Sequence, residues 1–453
     1  MGERIFAVCV AAFFGFLPYA VKGMPTFIAW IGLIGAVVIA ALTFVPINPR
    51  LVLPAAVMIA TAVGFIAAGA WLYERYNEEP LSQTEVLVRL GELGWTIKSE
   101  EGGNLLVEVV ERSVPPMAET AHLLAQLNKP FRLHLQLIGT IAGLHYLADL
   151  PQLTNMAIEA GKFTDISELR GFTHLTNLTL SQIPYDSTAG VVDASPLSSL
   201  TNLVELTLAN SRIRNADFLA SMGKLRVLNL EHTPLTDISA LSHSENLEKL
   251  TIQSTRITNL SALTENTHLE LIVGKDQIPG LVDLPHLKKL SFMDANPTDL
   301  SPISSLTGLE ALHIWGAQPF DISQFKNLGN LQELTLNGMG FGFLFPVANA
   351  DLIGNFRGLK TLNLSSIQIN DLSFLRNLQN LTELNLSALP ITSLAPIESL
   401  KHLKKIWLIN LGVGEISPLL ALPDLSELYV LRVPARADVI VELQRRGVKV
   451  TMP

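Results

Sequence analysis

The sequence predicts a solenoid of stacked parallel β-strands, preceded by a segment that lies in a membrane. Two observations indicate this architecture: three long apolar runs open the chain, and from residue 153 onward leucine recurs at a nearly fixed interval. The composition agrees, because 48% of the 453 residues are hydrophobic and only 16% are charged, which is an unusual balance for a purely soluble protein.

The apolar runs at residues 5–21, 25–45 and 51–72 predict a membrane anchor over residues 1–76. The second and third runs have the length that spans a hydrocarbon core as a helix, and the first is at the short limit. None of the runs contains Asp, Glu, Lys, Arg or His. Ion pathways and proton relays need such residues, so the runs are typical of an anchor and not of a transporter. The first run is alternatively a signal peptide, although it lacks a clear small-x-small cleavage site near Ala20.

Small residues recur at every fourth position of the second and third runs. These residues are Gly32, Ala36 and Ala40, then Ala56, Ala60, Gly64 and Ala68. Such Gly/Ala stripes let helix backbones approach closely, which favours a tight hairpin of the two helices or a homo-oligomer through the same face. The alternative is that the stripes reflect only the high frequency of Gly and Ala in membrane helices.

Basic residues around the runs indicate an orientation. Arg4, Arg50 and the terminal amine fall on one side of the membrane, and Lys22 and Arg75 fall on the other. The positive-inside rule then favours an inside N-terminus. We therefore expect a multi-pass protein of the cell (plasma or inner) membrane, with the solenoid on the outer or periplasmic face.

The leucine interval defines the solenoid over residues 131–433. The pattern L-x-x-L-x-L repeats, and its first leucine recurs at intervals of 22 residues apart from two intervals of 28 and one of 18. The first leucines are Leu153, Leu175, Leu203, Leu225, Leu247, Leu269, Leu287, Leu309, Leu331, Leu359, Leu381, Leu403 and Leu425. A period of this size marks leucine-rich repeats, each with one short parallel strand whose leucines point inward.

The second half of each unit also repeats, in forms such as "TDISEL" from Thr164, "TDISAL" from Thr236 and "NDLSFL" from Asn370. An Asp or Asn that caps free N–H groups, followed by Ser and sometimes Pro, predicts a short 3₁₀ turn. With these residues and the regular leucine interval, the chain resembles the internalin-like class of leucine-rich repeats, a class also seen in a regulatory subunit of a protein phosphatase. The resemblance implies a protein-binding surface.

The chain departs from that class at the ninth position of the unit, where the internalin pattern has an Asn that ties neighbouring turns together. Ser211, Thr233 and Thr255 occupy this position early in the solenoid, and Ile367 and Leu389 occupy it later. We expect the later turns to satisfy their backbone groups through water or through direct backbone pairing.

Both ends of an open solenoid need a cover, because each end otherwise exposes the core. Residues 80–130 predict an N-terminal cap in the order helix, strand, strand, helix (αββα), with a hairpin from Thr96 to Val110. Residues 434–453 predict one helix and a final strand, which form the C-terminal cap.

The sequence contains no motif for catalysis or cofactor binding: a phosphate loop, a G-x-S-x-G elbow, a paired Cys-x-x-Cys and an H-E-x-x-H are all absent. Four histidines, His174, His268, His286 and His402, share the slot immediately before the first leucine of a unit, which indicates a structural role. The net charge is −9 and no basic run occurs, which disfavours nucleic-acid binding. We expect no enzymatic activity, no cofactor and no metal.

Residues between the strand leucines are expected to face the concave surface, where most are small or polar, such as Thr207, Asn229 and Asn363. Large or apolar side chains interrupt this background in two clusters, and we expect these clusters to bind a protein partner. The candidate residues are Met293, His313 and Trp315 in the first cluster, and Trp407, Ile409, Tyr429 and Leu431 in the second. The alternatives are local stacking and shielding by the C-terminal cap.

One of the two longer units contains the stretch "NGMGFGFLFPVANAD" at residues 337–351. Its surplus residues lie around residues 343–347, after the strand, so we expect the bulge to leave on the side away from the concave centre. Phe341 occupies an inward position of the unit. Phe343 and Phe345 are open to core packing, a convex flap, or contact with a ligand or a membrane.

Together these features predict a membrane-anchored, non-catalytic leucine-rich-repeat protein that binds another protein through its concave face. The alternative is a structural or scaffold subunit of a larger membrane complex, whose helices pack against partner helices through the Gly/Ala stripes.

Overall fold

The computed structural model describes most of the chain after residue 80. The described ranges are 81–100, 103–111, 115–137, 141–160, 164–181, 191–293, 299–316, 319–338 and 344–453. The three apolar runs of the predicted anchor lie outside these ranges. Within them, no helix combines the length and the apolar character that a membrane crossing requires.

The first described segment folds in the order helix, strand, strand, helix. Its elements are α1 Gln83–Glu92, β1 Thr96–Ser99, β2 Leu105–Glu111 and α2 Met117–Ala125. Strands β1 and β2 pair antiparallel, with Thr96 opposite Glu108, and form the hairpin that the sequence predicts. Trp95 is buried after α1, and its indole Nε1 donates a hydrogen bond to Thr120 Oγ1 of α2 at 2.9 Å. This bond ties the second helix to the end of the first.

Each following unit contributes one strand to a parallel sheet that continues from β2, three units add a second short strand outside this sheet, and the C-terminal cap adds the last strand. The strands are β3 Phe131–Leu137, β4 Leu153–Ala160, β5 Asn177–Ser181, β6 Glu205–Thr207, β7 Val227–Asn229, β8 Lys249–Thr251, β9 Glu270–Val273, β10 Lys289–Phe292, β11 Ala311–Gly316, β12 Phe320–Asp321, β13 Glu333–Gly338, β14 Phe345–Ala348, β15 Thr361–Ser365, β16 Ile367–Gln368, β17 Glu383–Ser387, β18 Lys405–Ile409, β19 Glu427–Leu431 and β20 Lys449–Thr451. Within the described ranges this main sheet has 17 strands, and β12, β14 and β16 form a separate one.

A 3₁₀ turn completes each unit from β3 to β18. The turns are Leu144–Leu147, Ser167–Gly171, Ser195–Ser199, Asp217–Ser221, Ser239–His243, Ser261–Leu263, Lys275–Asp283, Ser301–Ser305, Ile322–Phe325, Ala350–Asn355, Ser373–Asn377, Ala395–Ser399 and Ser417–Ala421. Several of them begin within the Asp-Ile-Ser and Asp-Leu-Ser segments from which the sequence predicts such turns, directly after the Asp or at the Ser. Parallel strands that alternate with short 3₁₀ turns at a leucine-set interval make this part of the chain a leucine-rich-repeat solenoid.

The strand leucines form the core of the solenoid. Leu206, Leu228 and Leu250 lie at the same position of three consecutive strands, pair with one another in register, and are each 0% exposed. Burying one such side chain contributes about 1.5–3 kcal/mol. Every unit buries several such leucines against the adjacent units, so a unit is stable only when its neighbours are in place.

Two kinds of hydrogen bond occur at or beside the ninth position of the units, although the buried hydroxyl of Ser211 has no partner among the described residues. Thr233 is buried, and its hydroxyl donates to the carbonyl oxygen of Leu230 in its own turn at 2.7 Å. In a later unit the backbone N–H of Ala388 donates to the carbonyl oxygen of Ile409 at 2.9 Å, beside the apolar Leu389. Direct backbone pairing, which we expected for the later turns, is present there but is not particular to them, because the backbone N–H of His232 donates to the carbonyl oxygen of Gln253 at 3.2 Å.

The second of the longer units adds a strand outside the main sheet. Strand β14 lies between β12 and β16, parallel to both, and the backbone N–H of Phe345 donates to the carbonyl oxygen of Ser366 at 3.2 Å. The ring of Phe345 packs directly over Gly338 at the end of β13. The surplus therefore leaves the main sheet after the strand, as expected. Phe341 and Phe343 lie outside the described residues.

The last elements are helix α3, Ala437–Arg445, and strand β20, which pairs in parallel with β19. Helix α3 buries Val439 and Leu443 and contacts the turn Ser417–Ala421. Arg446 donates from Nη1 to the carbonyl oxygen of Leu420 in that turn at 2.7 Å. The helix thus packs on the turn side of the last unit.

Candidate functional site

Alternate residues of each strand point away from the leucine core and form an exposed surface on the main sheet. In β15, for example, Thr361, Asn363 and Ser365 are half-buried, while the two leucines between them are buried. We call this surface the sheet face; it corresponds to the predicted concave surface. The parallel register sets equivalent residues of consecutive strands side by side, so the sheet face carries three rows of side chains.

The central cluster on the sheet face consists of Met293, His313 and Trp315. The rings of His313 and Trp315 meet edge to face, with centroids 5.6 Å apart and planes at 81°. Met293 is 42% exposed and follows Phe292, which pairs with Ile314, so it lies level with Trp315 on the next strand. Local stacking therefore occurs between His313 and Trp315, and the indole of Trp315 nevertheless stays half-buried at the surface.

Polar neighbours on both adjacent strands hold the imidazole of His313. Ser291 Oγ lies 3.5 Å from Nδ1, and Glu333 Oε1 lies 3.2 Å from Nε2. Among the described residues Nε2 has no partner with hydrogen-bond geometry, so the approach to Glu333 is favourable as an ion pair once the ring is protonated. The two ring nitrogens thus lie beside Ser291 and Glu333, while the ring itself packs against Trp315.

The C-terminal cluster consists of Trp407, Ile409, Tyr429 and Leu431. Trp407 lies opposite Tyr429, and Ile409 lies opposite Leu431, on strands β18 and β19. All four side chains are half-buried. Within the described residues the rings of Trp407 and Tyr429 form neither a stacked nor an edge-on pair. These four mostly apolar side chains are thus neighbours across one pair of strands.

A polar strip joins the two clusters across strands β13, β15 and β17. It consists of Thr335, Asn337, Asn363, Ser365, Asn385 and Ser387. Asn363 Nδ2 donates to Thr335 Oγ1 at 3.0 Å. Asn385 Oδ1 is buried next to Trp407 and accepts no hydrogen bond from the described residues. The strip therefore offers amides and hydroxyls, one of them an unpaired acceptor.

The two tryptophans lie on different rows of the sheet face. Trp315 is level with Asn337, Ser365 and Ser387, whereas Trp407 is level with Asn385. Four strand steps separate them, from β11 through β13, β15 and β17 to β18, which is a distance of about 19 Å at about 4.8 Å per step. One extended partner is long enough to contact both clusters.

Charged residues border this surface along one row. Lys405 Nζ lies 3.7 Å from Glu383 Oε1 and 3.5 Å from Glu427 Oε1, so one cation serves two carboxylates. Such exposed pairs contribute little to stability, about 0–1 kcal/mol each. Because Glu333 lies in the same row, the border of the site is net acidic.

A second group of charged side chains, at the other end of the sheet face, was not singled out from the sequence. His134 Nδ1 lies 3.9 Å from Glu108 Oε2, and His134 Nε2 lies 3.6 Å from Glu159 Oε1. These three residues lie on the neighbouring strands β2, β3 and β4. The sequence shows that they are close together only once the register between the cap strand β2 and strand β3 is known. In the described ranges no group of three or more His, Cys, Asp and Glu side chains is placed to hold a metal ion.

Solved structures with similar folds include several leucine-rich-repeat proteins. An internalin from Listeria monocytogenes has 24% identity, with 76% of this chain and 88% of that chain covered and a TM-score of 0.45. A leucine-rich-repeat protein of Leptospira interrogans has 15% identity, with 83% and 100% covered and a TM-score of 0.46. The leucine-rich-repeat ectodomain of a plant membrane receptor kinase from Arabidopsis thaliana, in complex with Casparian strip integrity factor 2, has 16% identity, with 76% and 48% covered and a TM-score of 0.37.

No protein-family model matches the chain, and no curated protein matches it by sequence. The similarities to solved structures concern the repeat architecture. The description of this chain as a leucine-rich-repeat solenoid rests on its own strands and turns.

Proposed function

We propose that the chain is a membrane-anchored, non-catalytic recognition protein that binds another protein through the sheet face. The observation that supports this proposal is the pair of apolar clusters, around Trp315 and around Trp407, on a face whose other side chains are mostly small or polar. Binding hot spots are enriched in Trp and Tyr that lie in partly enclosed surroundings. The half-buried Trp315, Trp407 and Tyr429 have this character.

The sheet presents these aromatic side chains on a rigid support. Both tryptophans lie on strands that pair on both sides, and the residues before and after each of them are buried. Trp and Tyr have two side-chain torsions, so fixing them on binding loses little conformational entropy. A partner that covers the clusters therefore gains apolar contact without ordering a loop.

Affinity capture with matched variants tests the proposed site. The full-length chain, with Trp315→Ala and Trp407→Ala combined, should lose the partner proteins that the wild type recovers, since it lacks both anchors. Tyr146→Ala is the control, because Tyr146 is 52% exposed but lies on a 3₁₀ turn and not on the sheet face. Equal recovery by the wild type and the double variant contradicts the role of the sheet face.

The proposal includes the anchor at residues 1–76 and places the solenoid on the outer or periplasmic side. The support is in the sequence: the runs at 5–21, 25–45 and 51–72 lack ionisable residues, and their flanking basic residues favour an inside N-terminus. Extraction of membranes at alkaline pH tests the anchor, because an integral chain should stay in the membrane fraction. Added protease should degrade the solenoid in intact cells, and full protection contradicts the outward placement.

A scaffold subunit of a larger membrane complex is the second candidate function. The Gly/Ala stripes of the second and third runs favour it, because they are suited to close packing against other helices or a second copy of the chain. Native mass spectrometry from mild detergent distinguishes the two candidates. A stable complex supports the scaffold or homo-oligomer, whereas a lone monomer contradicts it.

A further inference from the structure

We infer that the segment of the partner that lies along the polar strip is an extended, uncharged stretch of polypeptide with a bulky apolar side chain at each end. This inference rests on the proposed function and specifies the chemistry that the same site recognises. It follows from the charge, the hydrogen-bonding groups and the length of the surface between the two clusters.

The first observation is the absence of formal charge along the strip. Between Trp315 and Trp407, the two rows that include Asn337 and Asn385 carry neither a carboxylate nor an ammonium or guanidinium group, and all of these strand residues are described. The bordering row is net acidic, because Lys405 faces both Glu383 and Glu427, and Glu333 lies beside the imidazole of His313. A charged side chain of the partner placed over the two uncharged rows is still desolvated without an opposite charge on those rows, which is unfavourable.

The second observation is the set of hydrogen-bonding groups. The strip presents amide and hydroxyl side chains, which both donate and accept, and an extended polypeptide presents N–H and C=O groups that need both. Asn385 Oδ1 is buried without a donor among the described residues. Because this oxygen is closed to solvent, we expect the partner to meet the Asn385 amide through Nδ2, which can donate to a backbone C=O of the bound segment.

The apolar ends favour a polypeptide over a neutral oligosaccharide, the other class of uncharged chain that amides and hydroxyls recognise. Beside Trp407, the aliphatic side chains of Ile409 and Leu431 offer no hydrogen-bonding atom. Sugar hydroxyls placed against them lose water without gaining a partner. A Leu, Phe or Met side chain has no hydrogen bonds to water to lose, and it buries its apolar surface against Ile409 and Leu431.

The spacing of the clusters fixes the length of the segment. The separation of about 19 Å corresponds to about six residues of extended chain at about 3.3 Å per residue. The expected recognition element is thus two bulky apolar residues about six positions apart, with uncharged residues between them.

Selection from a displayed library of random peptides, about twelve residues long, on the immobilised full-length chain tests the inference. Enriched peptides should carry the two spaced apolar residues and lack Asp, Glu, Lys and Arg between them. Their affinity should change less than about twofold when NaCl rises from about 50 to about 500 mM, because no ion pair is made. Asn385→Leu should weaken binding about tenfold, as expected for a lost hydrogen bond to an amide. Thr179→Leu, a change in the same row outside the strip, should not weaken it.

Three results overturn the inference: enriched peptides with charged spacers, a loss of affinity of tenfold or more over the same salt range, or binding of neutral oligosaccharides without enrichment of any peptide. Affinity capture separates these failures from a failure of the proposed function. If captured proteins still depend on Trp315 and Trp407, the binding face stands and only the chemistry of its partner is wrong. If they do not, the binding face itself is wrong.

Discussion

Asp371 accepts a hydrogen bond at Oδ1 from the backbone N–H of Ser373, two residues along the chain, at 2.8 Å. This bond is the largest of the causes that hold the pKa of the Asp371 carboxyl below its ordinary value. The same arrangement recurs along the stack of 3₁₀ turns, with a lowered pKa at Asp165, Asp193 and Asp237. One side of the solenoid therefore carries a row of ionised caps.

The row of caps predicts that the solenoid loses stability in acid. The folded pKa of each carboxylate lies below its unfolded value of about 3.9, so its contribution is complete above that pH and disappears as the pH falls through the folded pKa. The thermal midpoint of the full-length chain, followed by circular dichroism from about pH 7 to about pH 3, should fall steeply only below about pH 4.

Asp371→Asn isolates the charge of one cap from its hydrogen bond. An Asn keeps the acceptor oxygen, as Asn259 does naturally when it accepts from the backbone N–H of Ser261 at 2.9 Å. The variant should have a slightly lower midpoint than the wild type at neutral pH, and the difference should vanish in acid, where Asp371 is protonated. A difference that is the same at both pH values contradicts the assignment.

The regular parts of the fold follow from the sequence because a single period determines them. Once leucine recurs at a fixed interval, the strand, its register and the core position of residues such as Leu228 are set, and Trp407 must lie beside Tyr429. The edge-to-face contact of His313 with Trp315 depends on side-chain torsions, which spacing does not fix. The unpaired oxygen of Asn385 depends on them in the same way.

Irregular features escaped prediction for a different reason. Strand β14 forms within a surplus that all units but one other lack, so the regular repeat contains no template for it. In many units the residue after the strand has a left-handed backbone conformation. The sequence does not reveal this conformation, because residues other than glycine occupy the position. Examples are Ser366 with φ 52°, Ala388 with φ 47° and Arg432 with φ 53°.

The backbone of Ala388 predicts a stabilising substitution. Its φ of 47° lies in the left-handed region, which is unfavourable for a residue with a Cβ atom. Ala388→Gly should raise the free energy of unfolding by about 0.5–1 kcal/mol, since the relief of strain exceeds the added chain entropy of glycine. Ala395→Gly, in the 3₁₀ turn of the same unit, should lower it by about 0.5–1 kcal/mol. Chemical denaturation measures both, and destabilisation by Ala388→Gly contradicts the argument.

Gly338 predicts a site that tolerates no larger side chain. A Cβ atom there runs into the carbonyl oxygen of Ser366 and the ring of Phe345, and the carbonyl belongs to paired backbone that cannot move aside easily. Gly338→Ala should lower the free energy of unfolding by about 1–3 kcal/mol, as overpacking does. Gly329→Ala, in the preceding unit, is the matched control, because nothing lies within 4 Å of its added Cβ.

Removing the ring separates the two causes at Gly338. Phe345→Ala combined with Gly338→Ala relieves the clash with the side chain but leaves the one with the Ser366 carbonyl. Gly338→Ala should therefore lower the free energy of unfolding by less in the Phe345→Ala background than in the wild type, but it should still lower it. A cost that is equal in both backgrounds places the whole effect on the backbone and contradicts the packing of Phe345 over Gly338.

The hydrogen bond from Trp95 to Thr120 predicts how firmly the N-terminal cap is held. Trp95 is 3% exposed and Thr120 is 0% exposed, so water cannot replace a lost partner. Thr120→Val keeps the shape but removes the acceptor from the indole N–H, and it should lower the free energy of unfolding by about 1–3 kcal/mol. Thr120→Ser keeps the hydroxyl and removes one methyl group, which should cost about 1 kcal/mol.

The two Thr120 variants give opposite rankings under the competing explanations. If the hydrogen bond dominates, the valine variant is the less stable of the two. If packing dominates, the serine variant is the less stable, because valine fills the space of threonine. Chemical denaturation with hydrogen exchange of the α2 amides distinguishes them, since loss of the bond should speed exchange in α2 before the solenoid itself unfolds.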